Sequence, residues 1–297
     1  MSDFKTVLVT GSSSGFGRLI AETLAAKGHT VFASMRAVTG KNAEHARSLR
    51  AWAESAKARL HVVELDVTDD ASVKRAVREI LATAGHLDVV VNNAAVGALG
   101  LLEGYTPSQM RELFDVNVGG MQRVNRAVLP HMRERRSGLL VHVSSTGGRI
   151  PLPSMAPYCV TKFALEAMAE CYRYELTETG VDAIIVQPGG YPTDFLAKSM
   201  APAEPERAQG YGAAAELPKS LLAGFNTMMS LPDRPDSQEV ADAIAGLIEM
   251  PVGTRPLRTV VDRMMGQGPA TINEVAESVT TSALQTLGMG ALLGPKP

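Results

Sequence analysis

The stretch "TVLVTGSSSGFG", residues 6–17, joins a short apolar run to the start of a helical pattern through a turn that contains three glycines. The glycines have the spacing Gly-x-x-x-Gly-x-Gly. Glycine permits unusual backbone angles and close approach of a ligand, and the amides and dipole of the following helix favour a pyrophosphate. The alternative is a Gly/Ser-rich turn that binds nothing. The turn residues predicted to bind a dinucleotide are Gly11, Ser13, Gly15, Phe16 and Gly17.

Outward from this turn, short Val- and Ile-rich runs alternate with helical patterns. Runs of this kind without polar alternation are typical of parallel strands that are covered on both faces. Strands separated by helices imply right-handed crossovers, so we expect an α/β fold with one doubly wound parallel sheet in a single domain. The predicted strands are 6–10, 30–34, 60–65, 87–93, 139–145, 181–190 and 257–262, and the predicted helices are 16–27, 43–56, 70–84, 108–118, 121–134 and one that contains Tyr158.

The composition is that of an ordinary globular protein. The 297 residues are 45% hydrophobic and 20% charged, with a net charge of −2, so no basic surplus indicates a nucleic-acid partner. Cys159 and Cys171 are predicted on one helix, too far apart for a disulfide, and the histidines show no metal-ligand spacing. The N-terminus lacks a signal-peptide layout, and the run 278–295 is too polar for a membrane span. We therefore expect a cytoplasmic protein without a metal and without a membrane partner.

The end of the second strand predicts the cofactor type. An acidic residue at this position holds a ribose 2′-hydroxyl, whereas arginine accommodates a 2′-phosphate. The chain has Met35 followed by Arg36, which favours NADP(H) over NAD(H) because arginine offers several donors to a phosphate. The alternative is that Arg36 is a solvated loop residue.

Polar and small residues follow the later strands at the edge where such sheets bind ligands. Asp66 ends the third strand, where its carboxylate could accept from an adenine amino group; helix capping is the equal alternative, with Thr68 the favoured N-cap. The other residues predicted to line the cofactor site at these strand ends are Val67, Asn92, Asn93, Ala94, Pro188, Gly189 and Thr193.

Tyr158 and Lys162 lie one helical turn apart in "APYCVTKFALEAMAE", residues 156–170. Alone the pair is a weak signal, since Lys162 with Glu166 could equally form a solvated helix pair. Two further polar residues accompany it. Ser145 ends the fifth strand, and Asn117 lies in a predicted helix among apolar neighbours, where an amide is unusual. Their convergence on one sheet edge indicates a reaction centre.

The motifs "TGSSSGFG", "NNAA", "YCVTK" and "PGGYPT", with Asn117 and Ser145, resemble the short-chain dehydrogenase/reductase family over residues 5–262. The Tyr-x-x-x-Lys spacing is similar to its simple oxidoreductase branch. The resemblance implies a Rossmann-type fold with helices on both faces of the sheet. It also implies a catalytic tetrad of Asn117, Ser145, Tyr158 and Lys162. One departure is Ala95, where many members have glycine.

The resemblance also implies a role for each of these side chains. Tyr158 would exchange a proton with the substrate oxygen, and Lys162 would lower the tyrosine pKa and hold the cofactor ribose. Ser145 would hydrogen-bond the substrate oxygen. Asn117 would hold a water that links Lys162 to solvent, and Thr193 would contact the cofactor carboxamide.

The segment 191–236 is predicted to be a substrate-binding lid on the 1–262 dinucleotide-binding and catalytic domain. Its apolar residues favour a hydrophobic ketone, aldehyde or secondary alcohol, and the region is similar to steroid and retinol dehydrogenases. The apolar residues of this segment are Phe195, Leu196, Met200, Tyr211, Leu217, Leu221, Phe225, Met228 and Met229.

The chain is interpreted as an NADP(H)-dependent oxidoreductase, with two alternatives. A non-catalytic redox sensor or scaffold typically lacks the tyrosine or the lysine, and an enoyl-thioester reductase spaces them further apart. The 263–297 extension shows little periodicity and is expected to cover the pocket or a neighbouring subunit. Family members often pair through the helices that contain 121–135 and 158–178, which implies a homodimer or homotetramer.

Overall fold

The sheet confirms the predicted topology. A computed structural model describes residues 4–293, and the ends of the predicted segments at 1–3 and 294–297 lie outside it. The strands are β1 (Thr6–Val9), β2 (Thr30–Met35), β3 (Leu60–Glu64), β4 (Val89–Asn92), β5 (Gly138–Val143), β6 (Val181–Pro188) and β7 (Arg258–Val261). All pairings in the sheet are parallel, and the strand order is β3-β2-β1-β4-β5-β6-β7.

The helices include the six predicted ones and three more near the C-terminus. A π-helical turn, Asp115–Gly119, joins the helices predicted at 108–118 and 121–134 into one continuous rod. Short 3₁₀ turns lie at Leu102–Gly104, Thr146–Gly148, Pro205–Glu216 and Gly290–Leu293. The helices are α1 (Gly15–Ala26), α2 (Ala43–Ala56), α3 (Asp70–Ala84), α4 (Pro107–Phe114), α5 (Gly120–Glu134), α6 (Ala156–Glu175), α7 (Leu217–Met229), α8 (Gln238–Glu249) and α9 (Gln267–Thr286).

Apolar side chains on the two faces of the sheet form two cores. On one face Val7 and Val9 of β1 pack with residues of α1, α2 and α8. On the other face Leu8 packs with residues of α3 and α5. Successive side chains of a strand point to opposite faces, so a run without polar residues is what a sheet covered on both sides requires.

The start of α3 differs from the prediction. Thr68 was expected to be the N-cap, but Asp69 holds that position, and its carboxylate accepts a hydrogen bond of 2.8 Å from the amide of Ala71. Thr68 instead donates both its amide and its hydroxyl to Asp66. Asp is an equally good cap, and Thr68 is already engaged in this tighter local turn.

The C-terminal extension contains a 20-residue helix, α9, that the sequence analysis did not assign. Three of its apolar side chains, Ile272, Val275 and Val279, are 39%, 59% and 63% exposed, so it has no sharply buried stripe to detect. Within residues 4–293 no helix is long and apolar enough to cross a membrane.

The direction of winding reverses between β1 and β4. From β1 the chain builds outward through β2 and β3, then returns to the centre and continues from β4 to β7. Ligands of such sheets bind in the crevice beyond the carboxyl ends of the strands at this reversal. The predicted glycine turn and "NNAA" lie there.

Candidate active site

One continuous cleft of about 830 Å³ runs along the carboxyl edge of the sheet. It extends from Arg36 at one end to Phe225 of α7 at the other. The structure brings nearly all of the predicted site residues together around it. Those that line it are Gly11, Ser13, Gly15, Phe16, Gly17, Arg36, Asp66, Val67, Asn93, Ala94, Ser145, Tyr158, Lys162, Pro188, Gly189 and Thr193.

Two residues expected at this edge lie elsewhere. Asn92 is the last residue of β4 and is buried, and its amide donates to Asn125 of α5 at 2.9 Å. The prediction that Asn92 faces the ligand is therefore wrong, because the period-two alternation of the strand turns it into the fold and leaves Asn93 at the edge. Asn117 is also buried, behind the cleft wall.

The glycine turn owes its shape to contacts that a side chain would prevent. Gly11 has φ +71°, and a Cβ there would lie 2.8 Å from Cα of Ala94. Gly17 lies in the first turn of α1, where a Cβ would be 2.3 Å from the Gly11 carbonyl oxygen. Asn93 ties the turn down, since its Nδ2 donates to the carbonyls of Thr10 and Gly11 at 2.9 and 3.3 Å. Asn93 thus shapes the turn as well as lining the cleft.

The start of α1 fits a dinucleotide phosphate. Gly15 has φ +56°, and the nearest atoms to a Cβ there would be those of Thr193, at 3.9 Å. A side chain at this position would begin to fill the cleft between the first helix and the segment after β6. The first turn of α1 presents its free amides here, and the sequence Gly-Phe-Gly-Arg brings no acidic side chain against an anion.

The half of the cleft that contains the glycine turn has a cationic end. Arg36 lines it together with three residues that the sequence analysis missed, Lys41, Asn42 and His45. They lie on the loop before α2 and on its first turn, and Asn42 Nδ2 donates to the Arg36 carbonyl at 2.6 Å. Proximity to Arg36 in sequence was the only available signal for them.

Asp66 lies close to these cations. Burial alone would raise the pKa of the Asp66 carboxyl, but the two hydrogen bonds from Thr68, helped by the charges of Arg36 and Lys41, outweigh it and hold the pKa below its usual value. Asp66 is therefore ionised at neutral pH. One carboxylate oxygen, Oδ1, accepts both Thr68 bonds.

Tyr158, Ser145 and Lys162 meet in the middle of the cleft. Tyr158 and Lys162 lie on α6 and are 7% and 2% exposed, so the solvated pair considered for Lys162 and Glu166 is excluded. The Lys162 Nζ donates to the Val143 carbonyl at 2.8 Å and lies 5.7 Å from the centre of the Tyr158 ring. Ser145 begins the turn after β5, and its Oγ accepts from the Gly147 amide at 3.0 Å.

Burial governs the ionisation of this group. Burial raises the pKa of Tyr158 well above its ordinary value, and the hydrogen bond with Ser145 only partly opposes this. The expected lowering of this pKa by Lys162 stays a prediction; the ammonium lies 5.7 Å from the centre of the Tyr158 ring and bonds to the Val143 carbonyl. Burial also lowers the pKa of Lys162 to about 8, against the opposing charge of Glu166. At neutral pH the pair is therefore a neutral phenol beside an ammonium ion.

Asn117 connects the strand-edge loop to α6. It lies in the π-helical turn, its Oδ1 accepts from the Val96 amide at 2.8 Å, and its Nδ2 donates to the Val96 carbonyl and to Thr161 Oγ1, both at 2.9 Å. Thr161 in turn donates to the Tyr158 carbonyl at 2.7 Å. The amide thus holds the backbone that carries Tyr158, and the wide π turn directs it inward.

The other half of the cleft is apolar. Of the nine lid residues named from the sequence, five line it: Phe195, Leu196, Leu221, Phe225 and Met228. The Phe195 ring lies edge-on to Tyr158, with centroids 5.1 Å apart. Sequence analysis missed Leu152 and Met155, which pack in the same cluster as Phe195 and come from outside the lid. Met265, in the extension expected to cover the pocket or a neighbouring subunit, also lines the cleft. None of the thirteen residues of α7, all within the described chain, is fully buried.

A cleft with a glycine turn in one half and a buried Tyr-x-x-x-Lys pair with an adjacent serine at its middle defines a class of nicotinamide-dependent α/β proteins. Comparison with known proteins identifies the family. The sequence model of the short chain dehydrogenase family matches residues 5–204. The chain therefore belongs to the short-chain dehydrogenase/reductase family of oxidoreductases.

Relatives and solved structures agree with this assignment. The chain is 35% identical over 189 residues to a 3-ketodihydrosphingosine reductase of Bacteroides thetaiotaomicron, a match that spans 64% of this chain and 65% of that protein. It is 30% identical to a short-chain dehydrogenase of Streptomyces avermitilis, whose structure superposes with a TM-score of 0.73 over 97% of this chain and 99% of that one. A structure of actinorhodin polyketide ketoreductase with NADPH is 25% identical, with a TM-score of 0.73 over 90% and 99% of the two chains.

Proposed function

We propose that this protein reduces a hydrophobic ketone or aldehyde to the alcohol, and catalyses the reverse reaction, with NADP(H) as cofactor. The observation that carries the proposal is the position of the Tyr158 side chain. It lies where the glycine-lined half of the cleft meets the apolar half. A carbonyl bound in the apolar half would reach Tyr158 and Ser145 from the side opposite the cofactor.

The residues that would hold the dinucleotide are those of the glycine turn, Asn93, Asp66, and the segment from Pro188 to Thr193. When bound, the cofactor supplies the hydride that is added to the carbonyl carbon. Lys162 would contact the ribose, and Thr193, whose atoms lie 3.9 Å from a Cβ built on Gly15, would contact the carboxamide. Asp66, ionised and beside the cationic end, remains our proposed acceptor for the adenine amino group.

The chain's own residues manage the proton. Negative charge develops on the carbonyl oxygen as hydride arrives, and a hydroxyl from Ser145 would stabilise it. Tyr158 remains a neutral phenol at neutral pH because burial raises its pKa, so it has a proton to donate to that oxygen.

The apolar half of the cleft supports a lipid-like substrate. Phe195, Leu196 and Leu221 surround the space next to Tyr158, and a polar sugar would leave its hydroxyls without partners there. The relative named as a 3-ketodihydrosphingosine reductase carries in its name a ketone on a long hydrocarbon chain. The segment 191–236 is the proposed lid over this substrate.

The cationic end supports NADP(H) over NAD(H). Arg36 and Lys41 line the cleft beside Asp66, where a 2′-phosphate would be attached to the adenine ribose. The ketoreductase structure in the comparison contains NADPH. We also infer a homodimer or homotetramer, since α6 exposes Val160 and Phe163 on the helix expected to pair.

The test is NADPH oxidation by the purified protein across a panel of hydrophobic ketones and aldehydes. Tyr158→Phe is expected to abolish turnover on every substrate while NADPH binding changes less than threefold. Tyr172→Phe is the matched control, because Tyr172 is on the same helix and its hydroxyl contacts Gln122 rather than the cleft. A fully active Tyr158→Phe protein would refute the proposal. Tight NADPH binding without turnover on any carbonyl would favour a redox sensor instead.

A further inference from the structure

A buried group of charged and amide side chains begins one helical turn after Lys162. The proposed reaction does not use these side chains. It joins α6 to β6, β7, α9 and the turn after Ser145. We call it the Glu166 network. Its members are Arg149, Glu166, Glu170, Gln187, Arg258 and Asn273.

Glu166 lies at the centre of this network. It is 2% exposed, and each carboxylate oxygen has its own donor: Gln187 Nε2 to Oε1 and Arg258 Nε to Oε2, both at 2.8 Å. Arg258 also pairs with Glu170, whose second donor is the Tyr174 hydroxyl at 2.7 Å. A carboxylate that is buried this far remains charged only when it is paired and hydrogen-bonded, and Glu166 is both.

The network also reaches the C-terminal extension and the catalytic serine turn. Asn273 of α9 donates to Gln187 Oε1 at 2.7 Å and accepts from Arg149 Nε at 2.8 Å. Arg149 directly follows the turn Thr146–Gly148, which begins at Ser145. A Cβ on Gly148 would lie 3.1 Å from Glu166 Cγ, so this turn packs directly on Glu166.

Lys162 needs a nearby negative charge. Its ammonium is buried and has the Val143 carbonyl as a hydrogen-bond acceptor, which leaves most of the cost of burying the charge uncompensated. The titratable groups around Lys162 and Glu166 are Tyr158, Cys159 and Glu170 on α6, His142 on β5, Arg258 on β7 and Arg149. Burial and the charge of Lys162 keep His142 neutral, and burial keeps Tyr158 and Cys159 in their uncharged forms. Glu166 is therefore the anion that acts on Lys162, and residues four apart on a helix are neighbours.

We propose that Glu166 is a positioning residue that maintains the ammonium form of Lys162. Arg258 of β7 and Gln187 of β6 hold Glu166 in place, and Asn273 of the C-terminal helix α9 in turn holds Gln187. The inference rests on the proposed function in taking Lys162 as the lysine of the reaction. It assigns the C-terminal helix a part in the active site although it does not supply a reacting group.

The test measures the charge of Lys162 directly. In protein labelled with ¹³C at the lysine ε-carbon, the Lys162 signal is assigned by its loss in Lys162→Met, one of nine lysines in the chain. Its titration midpoint is then followed by NMR between pH 6 and 11. In Glu166→Gln, which keeps the shape and removes the charge, the midpoint is expected to fall by about 1–2 pH units, since a unit charge roughly 6 Å away acts through an effective dielectric of about 20.

Two matched variants separate this effect from a structural one. Glu170→Gln removes the other carboxylate that pairs with Arg258, one helical turn further from Lys162. The Lys162 midpoint is therefore expected to shift less than half as far in this variant as in Glu166→Gln. Glu166→Asp keeps the charge and is expected to remain within about 0.5 unit of the parent protein. A Glu166→Gln midpoint equal to that of the parent, or a shift as large in Glu170→Gln, overturns the proposal.

If Glu166→Gln does not fold, the double variant Glu166→Met with Arg258→Met takes its place. An apolar pair of this kind commonly replaces a buried ion pair without loss of stability. A smaller fall in the Lys162 midpoint is expected than in Glu166→Gln, because the double variant also removes the Arg258 cation, which lies beyond Glu166 and opposes the charge on Lys162. An unchanged midpoint refutes the proposal. The NMR titration does not depend on turnover, so a protein that is inactive on every carbonyl leaves this result intact. Conversely, an unchanged midpoint in an active reductase refutes this inference alone.

Discussion

Replacing Gly17 by alanine is expected to destabilise the protein. The added methyl carbon would lie 2.3 Å from the Gly11 carbonyl oxygen and 2.5 Å from Asn93 Nδ2, roughly 1 Å closer than atoms in contact allow. The first obstacle is backbone, and Asn93 is held by its own hydrogen bonds, so neither can move without breaking the turn. Overpacking of this kind costs about 1–3 kcal/mol.

Gly246 in α8 is the matched control. Beyond its own stretch of helix, no atom in residues 4–293 lies within 4 Å of a methyl group built there. Gly246→Ala is therefore expected to gain up to about 1 kcal/mol from helix propensity. The two variants should differ by about 1–4 kcal/mol in free energy of unfolding.

The assay is thermal and urea unfolding of both variants beside the parent protein. A difference of 2 kcal/mol corresponds to about 4–8 °C in midpoint temperature for chains approaching this size. Gly17→Ala should also weaken NADPH binding, because the turn must open to admit the methyl group. Equal stability of the two alanine variants would show that the turn relaxes freely and would refute the steric argument.

Two further predictions concern charge. Arg36→Ala is expected to raise the dissociation constant of NADPH about 10- to 100-fold and to change that of NADH less than twofold, since charge-assisted bonds to a phosphate are lost. Arg47→Ala is the control, because Arg47 is exposed on α2 and does not line the cleft. An equal loss of affinity for both cofactors in Arg36→Ala would contradict the assignment. Burial lowers the pKa of His142 to about 3, so below its unfolded value of about 6.5 only the unfolded state gains the proton. Stability present above pH 6.5 should then fall by about 1.4 kcal/mol per unit as the pH drops toward 3. Urea unfolding at pH 7 and pH 5 measures this fall, and an equal pH slope in His142→Gln would assign the proton to another group.

Much of the fold follows from local patterns. The strands from β1 to β7 each contain a short Val-, Leu- or Ile-rich run, and α2 and α3 begin and end at the predicted residues because their amphipathic stripes are strong. The C-terminal helix α9 escaped prediction for the opposite reason. It is held by polar contacts through Asn273 and shows no apolar stripe to detect.

The candidate site divides in the same way. Glycine positions and the Tyr158–Lys162 spacing are readable because the backbone and the helical turn impose them. The ionisation of Tyr158 could not be predicted from the sequence, since it depends on how deeply the ring is buried, and no short motif records that depth. Partners that are distant in sequence, such as Arg258 for Glu166, were equally hidden.

The construction of α7 has a consequence for how this chain can change. The helix supplies Leu221, Phe225 and Met228 to the apolar half of the cleft, yet none of its residues is fully buried. Substitutions there alter the shape of the pocket without opening a hole in either core of the sheet. Under the proposed function, selectivity and folding are thus encoded in separate parts of the sequence, and substitutions in this helix would change the substrate without touching Tyr158 or Ser145.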